Sequence, residues 1–210
     1  MSRYTTLFTP PTNWCRPEWH EVPDIKKSSV VAVDLETRDP NLRTLGSGAA
    51  RNDGYIVGIA IAIDGWKGYF PLRHEGGGNM ESEDMVWKWF DEHVTQTEAT
   101  KVFHNAMYDV SWLKARGINL KGRLEDTMML ASLVDENRYN YSLNSVASDY
   151  ISMTKQESEL KEAAKNWGVD AKAEMWKMAA PEVGKYGERD AEVTLELWKS
   201  MQHWIKVEQV

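Results

Sequence analysis

Hydrophobic and polar residues follow two different patterns along the chain. The first half contains two short apolar runs, VVAVDLE at 30–36 and YIVGIAIAI at 55–63, and Asp64-Gly65 then leads into residues 66–72. Short apolar runs bounded by turn residues are typical of buried strands, and an Asp-Gly pair favours a tight hairpin. This pattern predicts three adjacent antiparallel strands.

Helical spacing dominates the second half of the chain. Residues 81–94 begin with acids and repeat apolar residues at helical intervals, and the residues after 142 keep this spacing almost throughout. Between them we predict short strands at 101–103 and 123–125, with Asn105 capping a helix that follows the first of these. Strands followed by alternating strands and helices predict an α/β domain with a mixed sheet.

The length of the chain allows one globular domain with short appendages. Its 210 residues, 42% of them hydrophobic, can bury one sizeable core. Residues 1–27 hold four of the seven prolines among polar and aromatic residues, which predicts an extended arm over the surface. Residues 28–206 then form the domain, and residues 207–210 begin a linker or tail.

Cysteine content and hydropathy indicate a reducing compartment. The single cysteine, Cys15, cannot form an internal disulfide, and no charged-then-apolar leader stands at the N-terminus. The longest apolar run, residues 56–63, is less than half of the roughly 20 residues that cross a bilayer. We therefore expect a cytoplasmic protein without a membrane partner.

The formal charge of −7 limits how this chain can bind nucleic acid. Proteins that bind phosphates directly use Lys and Arg, whereas an enzyme that binds phosphate through metal ions needs carboxylates instead. Residues 38–54 form an exception to the acidic balance, because they combine three arginines with three glycines in a predicted flexible loop. Weak, salt-sensitive DNA binding by this chain alone is the expectation.

Four carboxylates and one tyrosine are the candidate chemical groups. Asp34 and Glu36 end a strand and share one of its faces, Asp109 falls near the first turn of a helix, and Tyr186 and Asp190 are one helical turn apart. Each feature alone has an ordinary explanation: a solvated acidic pair, a helix-end charge worth about 0.3–1 kcal/mol, or a core tyrosine. Together they predict a site that holds divalent cations against a phosphodiester.

Other residues in these segments are expected to be structural. Gly184 and Gly187 each cost about 1 kcal/mol relative to alanine within a helix, which predicts close approach of a neighbouring element or of substrate. The tryptophans at helical spacing are predicted to lie in the core: Trp89, Trp112 and Trp198. The histidines predicted to lie at the surface are His74, His93 and His203.

Five segments of the chain resemble the DEDD superfamily of 3′ to 5′ exonucleases, in its tyrosine-bearing branch. They are DLET, HNAMYDVSWLKARGINL, EDTMMLASLV, YSLNSVASDY and YGERDAEVTLELW, spread over residues 28–206. The histidine-bearing branch has a histidine where Lys185 stands. The resemblance is specifically to the proofreading domain of family A DNA polymerases of the polymerase I type. It implies a ribonuclease H-like three-layer α/β domain with a mixed five-stranded sheet flanked by helices.

The resemblance also implies an activity. Such a domain is a two-metal-ion exonuclease that removes 5′-mononucleotides from single-stranded or frayed DNA 3′ ends, with Mg²⁺ or Mn²⁺ as cofactors. By this resemblance Asp34, Glu36 and Asp190 hold one ion, Asp34 and Asp109 hold the second, and Tyr186 with Glu36 orients the attacking water.

The substrate contacts and partners follow from the same resemblance. Leu35, Thr37 and Asn105 are the expected contacts to the terminal nucleotide, and Leu35 stands where the family often has threonine. The implied partners are single-stranded DNA 3′ ends and a family A polymerase domain, in cis or in trans, in a bacterial or bacteriophage-infected cell.

Two other functions are open at this point. A ribonuclease D-like exoribonuclease would use the same residues on RNA ends, although the polymerase-like flanking segments favour DNA. A non-catalytic nucleic-acid-binding relative would have the same fold, but the presence of all four carboxylates argues against it.

Overall fold

A computed structural model describes the main chain of residues 12–153 and 157–208. Its centre is a five-stranded sheet with the order β3-β2-β1-β4-β5. The strands are Val30–Arg38 (β1), Tyr55–Ile63 (β2), Trp66–Pro71 (β3), Thr100–Phe103 (β4) and Leu124–Asp126 (β5). β1, β2 and β3 pair antiparallel, whereas β4 is parallel to both β1 and β5. The predicted mixed sheet and its antiparallel group of three strands are therefore confirmed.

Helices flank this sheet. Within the described residues they are Leu42–Leu45 (α1), Glu83–Phe90 (α2), Ala106–Ala115 (α3), Thr127–Val134 (α4), Leu143–Tyr150 (α5), Glu157–Trp167 (α6) and Ala180–Glu208 (α7). α1 lies inside segment 38–54, so the prediction of an irregular loop there was wrong in part. None of the helices in residues 12–153 and 157–208 is both long enough and apolar enough to cross a bilayer.

The alternation of side chains along β1 assigns the two faces of the sheet. Val31, Val33 and Leu35 point to one face, where they join a core that includes Phe90 of α2 and Leu113 of α3. The intervening residues of β1 therefore point to the opposite face. A helix–sheet–helix arrangement of three layers results, as predicted.

Small residues on the opposite face let the long helix α7 lie close to the sheet. Ala32, Ala60 and Ala62 are buried there, in a core that includes Val183 and Leu195 of α7. Short side chains on strands allow a helix to approach more closely than leucine or phenylalanine would. α7 therefore crosses the sheet near the strand that carries Asp34 and Glu36.

Gly184 and Gly187 of α7 lie where aromatic side chains of other elements approach the helix. A Cβ at Gly187 would lie 2.9 Å from Cδ2 of Tyr69, and a Cβ at Gly184 would overlap the ring of Trp14. The predicted close approach at both positions is therefore confirmed, and the contacting groups are aromatic side chains of β3 and of the N-terminal segment.

The N-terminal segment lies along the surface of the domain from residue 12 onward. Trp14 donates a 2.8 Å hydrogen bond from Nε1 to Glu188 of α7, and Trp19 packs against Phe70. Residues 1–11 of the predicted arm lie outside the described residues. At the other end of the chain, α7 continues through Glu208, so the first two residues of the predicted tail are helical, and residues 209 and 210 lie outside the description.

The histidine predictions were wrong in part. His203 is exposed as predicted, but His74 is only 3% exposed, and His93 is half-buried with its ring stacked 5.6 Å from that of Trp89. His74 can be buried because both of its ring nitrogens have hydrogen-bond partners. The tryptophans behave as predicted: Trp112 is buried, and Trp89 and Trp198 are partly buried against the core.

Candidate active site

Three carboxylates meet where α7 crosses the carboxyl-terminal part of β1. Asp34 and Glu36 project from the α7 side of β1, and Asp190 projects from α7 toward them. One oxygen from each of the three carboxylates lies within 4.8 Å of the others. The structure thus brings together residues that are more than 150 positions apart in the sequence.

Asp109 lies beside this group rather than within it. Its side chain is buried, and Oδ1 accepts a 2.9 Å hydrogen bond from the main-chain N–H of Leu35, the residue between the two acids of β1. Burial, followed by the charge of Asp34, raises the pKa of Asp109 well above its usual range, against the effect of the Leu35 N–H. A carboxylate in this position gains from a nearby cation.

Tyr186, the fifth predicted site residue, lies one helical turn before Asp190 on α7. Its side chain is buried, and its phenol interacts with the carboxylates of Asp190, Glu36 and Asp34. Burial and these three negative charges raise the pKa of Tyr186 far above its usual value. The phenol therefore stays protonated at neutral pH and can donate a hydrogen bond at the edge of the group.

The ligand set fits a hard divalent cation. Asp34, Glu36 and Asp190 supply only carboxylate oxygens, and they come close enough together to share one ion. Mg²⁺ and Mn²⁺ prefer oxygen ligands, whereas zinc sites in proteins are usually built with histidine or cysteine. Three like charges at this spacing repel one another, so a cation between them would relieve the repulsion.

A cavity of about 540 Å³ adjoins the carboxylates. Glu36 lies in its wall, and so do the three predicted substrate-binding residues, Leu35, Thr37 and Asn105. Its volume is in the range of small-molecule sites in proteins. The structure therefore places these three predicted residues around one space beside the carboxylates, and their role there stays a prediction.

Tyr108 is a cavity residue that was not predicted from the sequence. Its hydroxyl forms hydrogen bonds with Thr37 Oγ1 at 2.7 Å and with Asp39 Oδ2 at 3.2 Å. Burial is the main cause that raises the pKa of Tyr108 to about 12. The signal available in the sequence was its position directly before Asp109. Both residues lie near the start of α3, and the start of a helix that follows a strand lies at the end of the sheet where that strand ends.

Asp126 holds the beginning of α3, which carries Asp109. Its carboxylate accepts hydrogen bonds from the main-chain N–H groups of Asn105 at 3.0 Å and Ala106 at 2.9 Å. Asn105 occupies the cap position of this helix as predicted, with a left-handed φ of 68°, but its side chain makes no cap hydrogen bond. Because Asp126 satisfies the helix end, the Asn105 side chain can line the cavity.

One known protein family matches most of the chain. Residues 21–206 match the sequence profile of the 3′-5′ exonuclease of family A DNA polymerases. The chain belongs to this exonuclease family. The exonuclease chain is also 35% identical over 204 residues to a DNA-directed DNA polymerase of Pseudomonas phage M6, which covers 95% of this chain and 31% of the polymerase. It therefore spans about a third of the length of that relative.

Solved structures with the same fold include an RNase D and an NrnC. RNase D of Trypanosoma brucei superposes with a TM-score of 0.63 at 16% identity, covering 85% of this exonuclease chain and 59% of the RNase D chain. NrnC of Brucella melitensis, solved with bound Mg²⁺, gives a TM-score of 0.61 at 15% identity, covering 89% of this chain and 78% of the NrnC chain. At these identities the comparison establishes the ribonuclease H-like exonuclease fold, and the predicted fold class is confirmed.

Proposed function

We propose that this domain removes 5′-mononucleotides from the 3′ ends of single-stranded or frayed DNA, as the proofreading activity of a DNA polymerase joined to it in cis or acting in trans. The observation that carries the proposal is the approach of Asp34, Glu36 and Asp190 to within 4.8 Å beside a nucleotide-sized cavity. The polymerase relative of phage M6 supports DNA as the substrate and the cytoplasm of a bacterial or phage-infected cell as the location.

Two divalent cations are part of the proposal. Asp34, Glu36 and Asp190 would hold one ion, and Asp34 with Asp109 would hold the second. When bound, Mg²⁺ or Mn²⁺ supplies Lewis acidity that stabilises the charge of the phosphodiester and makes water a better nucleophile. The Mg²⁺ bound to the NrnC structure supports this choice of metal.

Tyr186 and Glu36 would orient the attacking water. The protonated phenol of Tyr186 donates a hydrogen bond to the water oxygen, and the Glu36 carboxylate accepts one of the water protons. These two contacts come from α7 and β1, so they fix the water from two sides. Attack of the water oxygen would form a new P–O bond and break the bond between phosphorus and the 3′ oxygen. The water proton would pass through Glu36 to solvent, and the 3′ oxygen would take a proton from solvent, which leaves a 5′-mononucleotide and a strand with a new 3′ hydroxyl.

The terminal nucleotide would occupy the cavity. Leu35 borders the space although its side chain packs mainly in the core, and Thr37 and Asn105 would offer polar contacts. A cavity of about 540 Å³ has room for one nucleotide, and a base held in it would be separated from a template strand. This geometry supports a preference for unpaired 3′ ends.

The direct test is release of mononucleotides from a 3′-labelled single strand in the presence of Mg²⁺ or Mn²⁺. We expect Asp34→Asn and Asp190→Asn to reduce the rate by at least about a thousandfold, because each removes a charged ligand without changing side-chain size. Asp64→Asn is the matched control, since Asp64 is an exposed residue paired with Lys199. Wild-type rates in both active-site variants would refute the proposal.

RNA is the second candidate substrate. The structural similarity to RNase D is the observation that favours it, although the identity of 16% limits that similarity to the fold. DNA and RNA strands of one sequence decide between them. We expect at least about tenfold faster cleavage of DNA, and faster cleavage of RNA would favour the exoribonuclease instead.

A further inference from the structure

Arg38, the last residue of β1, is held between two aromatic rings. The carbon of its guanidinium lies 4.8 Å from the ring centroid of Trp176 and 5.7 Å from that of Tyr55. Tyr55 is the cross-strand partner of Arg38 on β2, and Trp176 lies in the short turn Met175–Lys177 before α7. Two separate elements therefore fix the position of this guanidinium.

Arg38 differs from the neighbouring cations in its charge environment. Arg73, whose guanidinium lies 5.6 Å from the same Tyr55 ring, forms a 2.7 Å ion pair with Glu83. Lys177, beside Trp176, forms an ion pair with Glu174. No carboxylate in residues 12–153 or 157–208 forms an ion pair with Arg38, so the contacts of this guanidinium are with the two aromatic rings.

A guanidinium held in this way is preorganised to bind a phosphate group. Contact with aromatic faces uses the flat surface of the group and leaves its N–H donors, which lie in the plane, for other partners. Two of those donors match the oxygens of a phosphate group, and fixing the side chain in advance lowers the entropy lost on binding.

Arg38 is also close to the active site. It lies two residues beyond Glu36 on β1, across a shift in the pairing with β2, at a distance of roughly 7 Å along the strand. Its contact with Trp176, which lies between Met175 and Met178 of the α7-side core, places it on the same side of the sheet as Glu36. Trp176 donates a 3.3 Å hydrogen bond from Nε1 to the carbonyl of Ala173, which lines the cavity. The guanidinium therefore lies within about one nucleotide of the carboxylates and beside the cavity.

We propose that Arg38 binds a backbone phosphate of the substrate strand on the 5′ side of the bond that is cleaved. A 3′-terminal nucleotide carries only the phosphate that is attacked, so any second phosphate near the site belongs to the upstream strand. Because the chain has a net charge of −7 and four carboxylates at this site, a local cation is needed to counter repulsion of the strand. The proposal rests on the exonuclease function proposed above.

The test compares two substrates that differ in upstream phosphates. One is a short oligo(dT), and the other is the p-nitrophenyl ester of thymidine 5′-monophosphate, which carries only the phosphate that is attacked. For Arg38→Gln we expect KM on oligo(dT) to rise about tenfold, as for loss of one charge-assisted contact, with kcat within about twofold and the ester cleaved as by wild type. Arg38→Lys keeps the charge but loses the paired N–H donors of the guanidinium. Its KM on oligo(dT) should therefore lie between the values for wild type and Arg38→Gln.

Salt dependence gives a second readout. Removal of one phosphate contact should reduce the slope of log KM against log salt concentration by about 0.7 for a single strand. Arg123→Gln is the matched control, because Arg123 directly precedes β5, an edge strand two strands away from β1, and should change neither KM nor slope. Thermal unfolding of each variant confirms that the fold is kept.

The possible outcomes separate this proposal from the proposed function. An unchanged KM for oligo(dT) in Arg38→Gln, or an equal loss on both substrates, overturns the role of Arg38 while leaving the exonuclease intact. A wild-type protein that cleaves neither substrate with Mg²⁺ or Mn²⁺ overturns both.

Discussion

The hydroxyl of Tyr69 donates a 2.7 Å hydrogen bond to Nε2 of His74 inside the core. The direction of this bond follows from the other ring nitrogen: Nδ1 lies 3.1 Å from the main-chain oxygen of Met178, which can only accept, so Nδ1 carries the proton. Burial lowers the pKa of His74 to about 4, which keeps the ring neutral at physiological pH. The pair links β3 to the segment that leads into α7.

Tyr69 also lies between α7, which carries Asp190, and β2, which pairs with the strand that carries Asp34 and Glu36. Its ring packs against Gly187 of α7, next to Tyr186, and against Gly58 of β2, the cross-strand partner of Glu36. The charges of Glu36 and Asp34 contribute, after burial, to raising the pKa of Tyr69 well above its usual value. The ring therefore acts as a spacer between α7 and the strands.

This spacer role predicts different effects for two similar substitutions. Gly187→Ala places a methyl group 2.9 Å from the Tyr69 ring, so α7 must move away from the sheet and the nuclease rate should fall at least about tenfold. Gly184→Ala meets Trp14 of the N-terminal segment instead and should leave the rate within about threefold of wild type. Equal rates for the two variants would contradict the spacer role.

His74 makes stability depend on pH. Its pKa is about 4 in the folded protein and ordinarily 6.5, so the unfolded chain binds the extra proton first as pH falls. This contribution is complete above pH 6.5 and is lost between pH 6.5 and 4, by roughly 3 kcal/mol in total. Urea unfolding across this range should show the loss in wild type and a smaller loss in His74→Gln. Parallel curves for the two proteins would show that His74 is not responsible.

Asp126 should contribute to stability through the starts of two helices. Asp126→Ala removes the acceptor for the N–H groups of Asn105 and Ala106 at α3 and for that of Met128 in α4, which should lower the free energy of unfolding by about 1–2 kcal/mol. Asp126→Asn keeps one acceptor oxygen and should lose less. Urea denaturation at pH 7 measures both, and an unchanged midpoint for Asp126→Ala would show that the cap is dispensable.

Tyr186 and Asp190 should differ in how much activity depends on them. Tyr186→Phe removes only a hydrogen-bond donor to the attacking water, so we expect about 10- to 100-fold loss. Asp190→Asn removes a charge from the metal ligands, so its loss should exceed about a thousandfold. Steady-state release of mononucleotides measures both. If Tyr186→Phe is as inactive as Asp190→Asn, the role assigned to the phenol is incorrect.

Local sequence patterns were sufficient to predict the secondary-structure elements that carry the carboxylates. The apolar run before Asp34 predicts β1, and strand alternation places Asp34 and Glu36 on one face. That Asp190 would meet them was predicted from the chemistry of the acids taken together and from the family resemblance, since no local pattern links positions so far apart. The close approach at Gly187 could be predicted because glycine within a helix is costly, although the contacting ring could not.

The residues that were missed depend on partners distant in the sequence. His74 is buried because of a carbonyl 104 positions away, and Asp126 caps α3 through N–H groups 20 and 21 positions before it. A polar residue near a turn is normally exposed, so the sequence around His74 gave no reason to expect burial. Arg38 was likewise assigned to a basic loop, because the ring of Trp176 comes from a distant segment.

Binding of Mn²⁺, measured by titration calorimetry without substrate, tests the central claim most directly. We expect wild type and Asp64→Asn to bind the ion with equal affinity, and Asp34→Asn and Asp190→Asn to bind it at least about tenfold more weakly, because each loses one of the three carboxylates that lie within 4.8 Å. Equal affinity in all four proteins would contradict the claim that these carboxylates form the metal site.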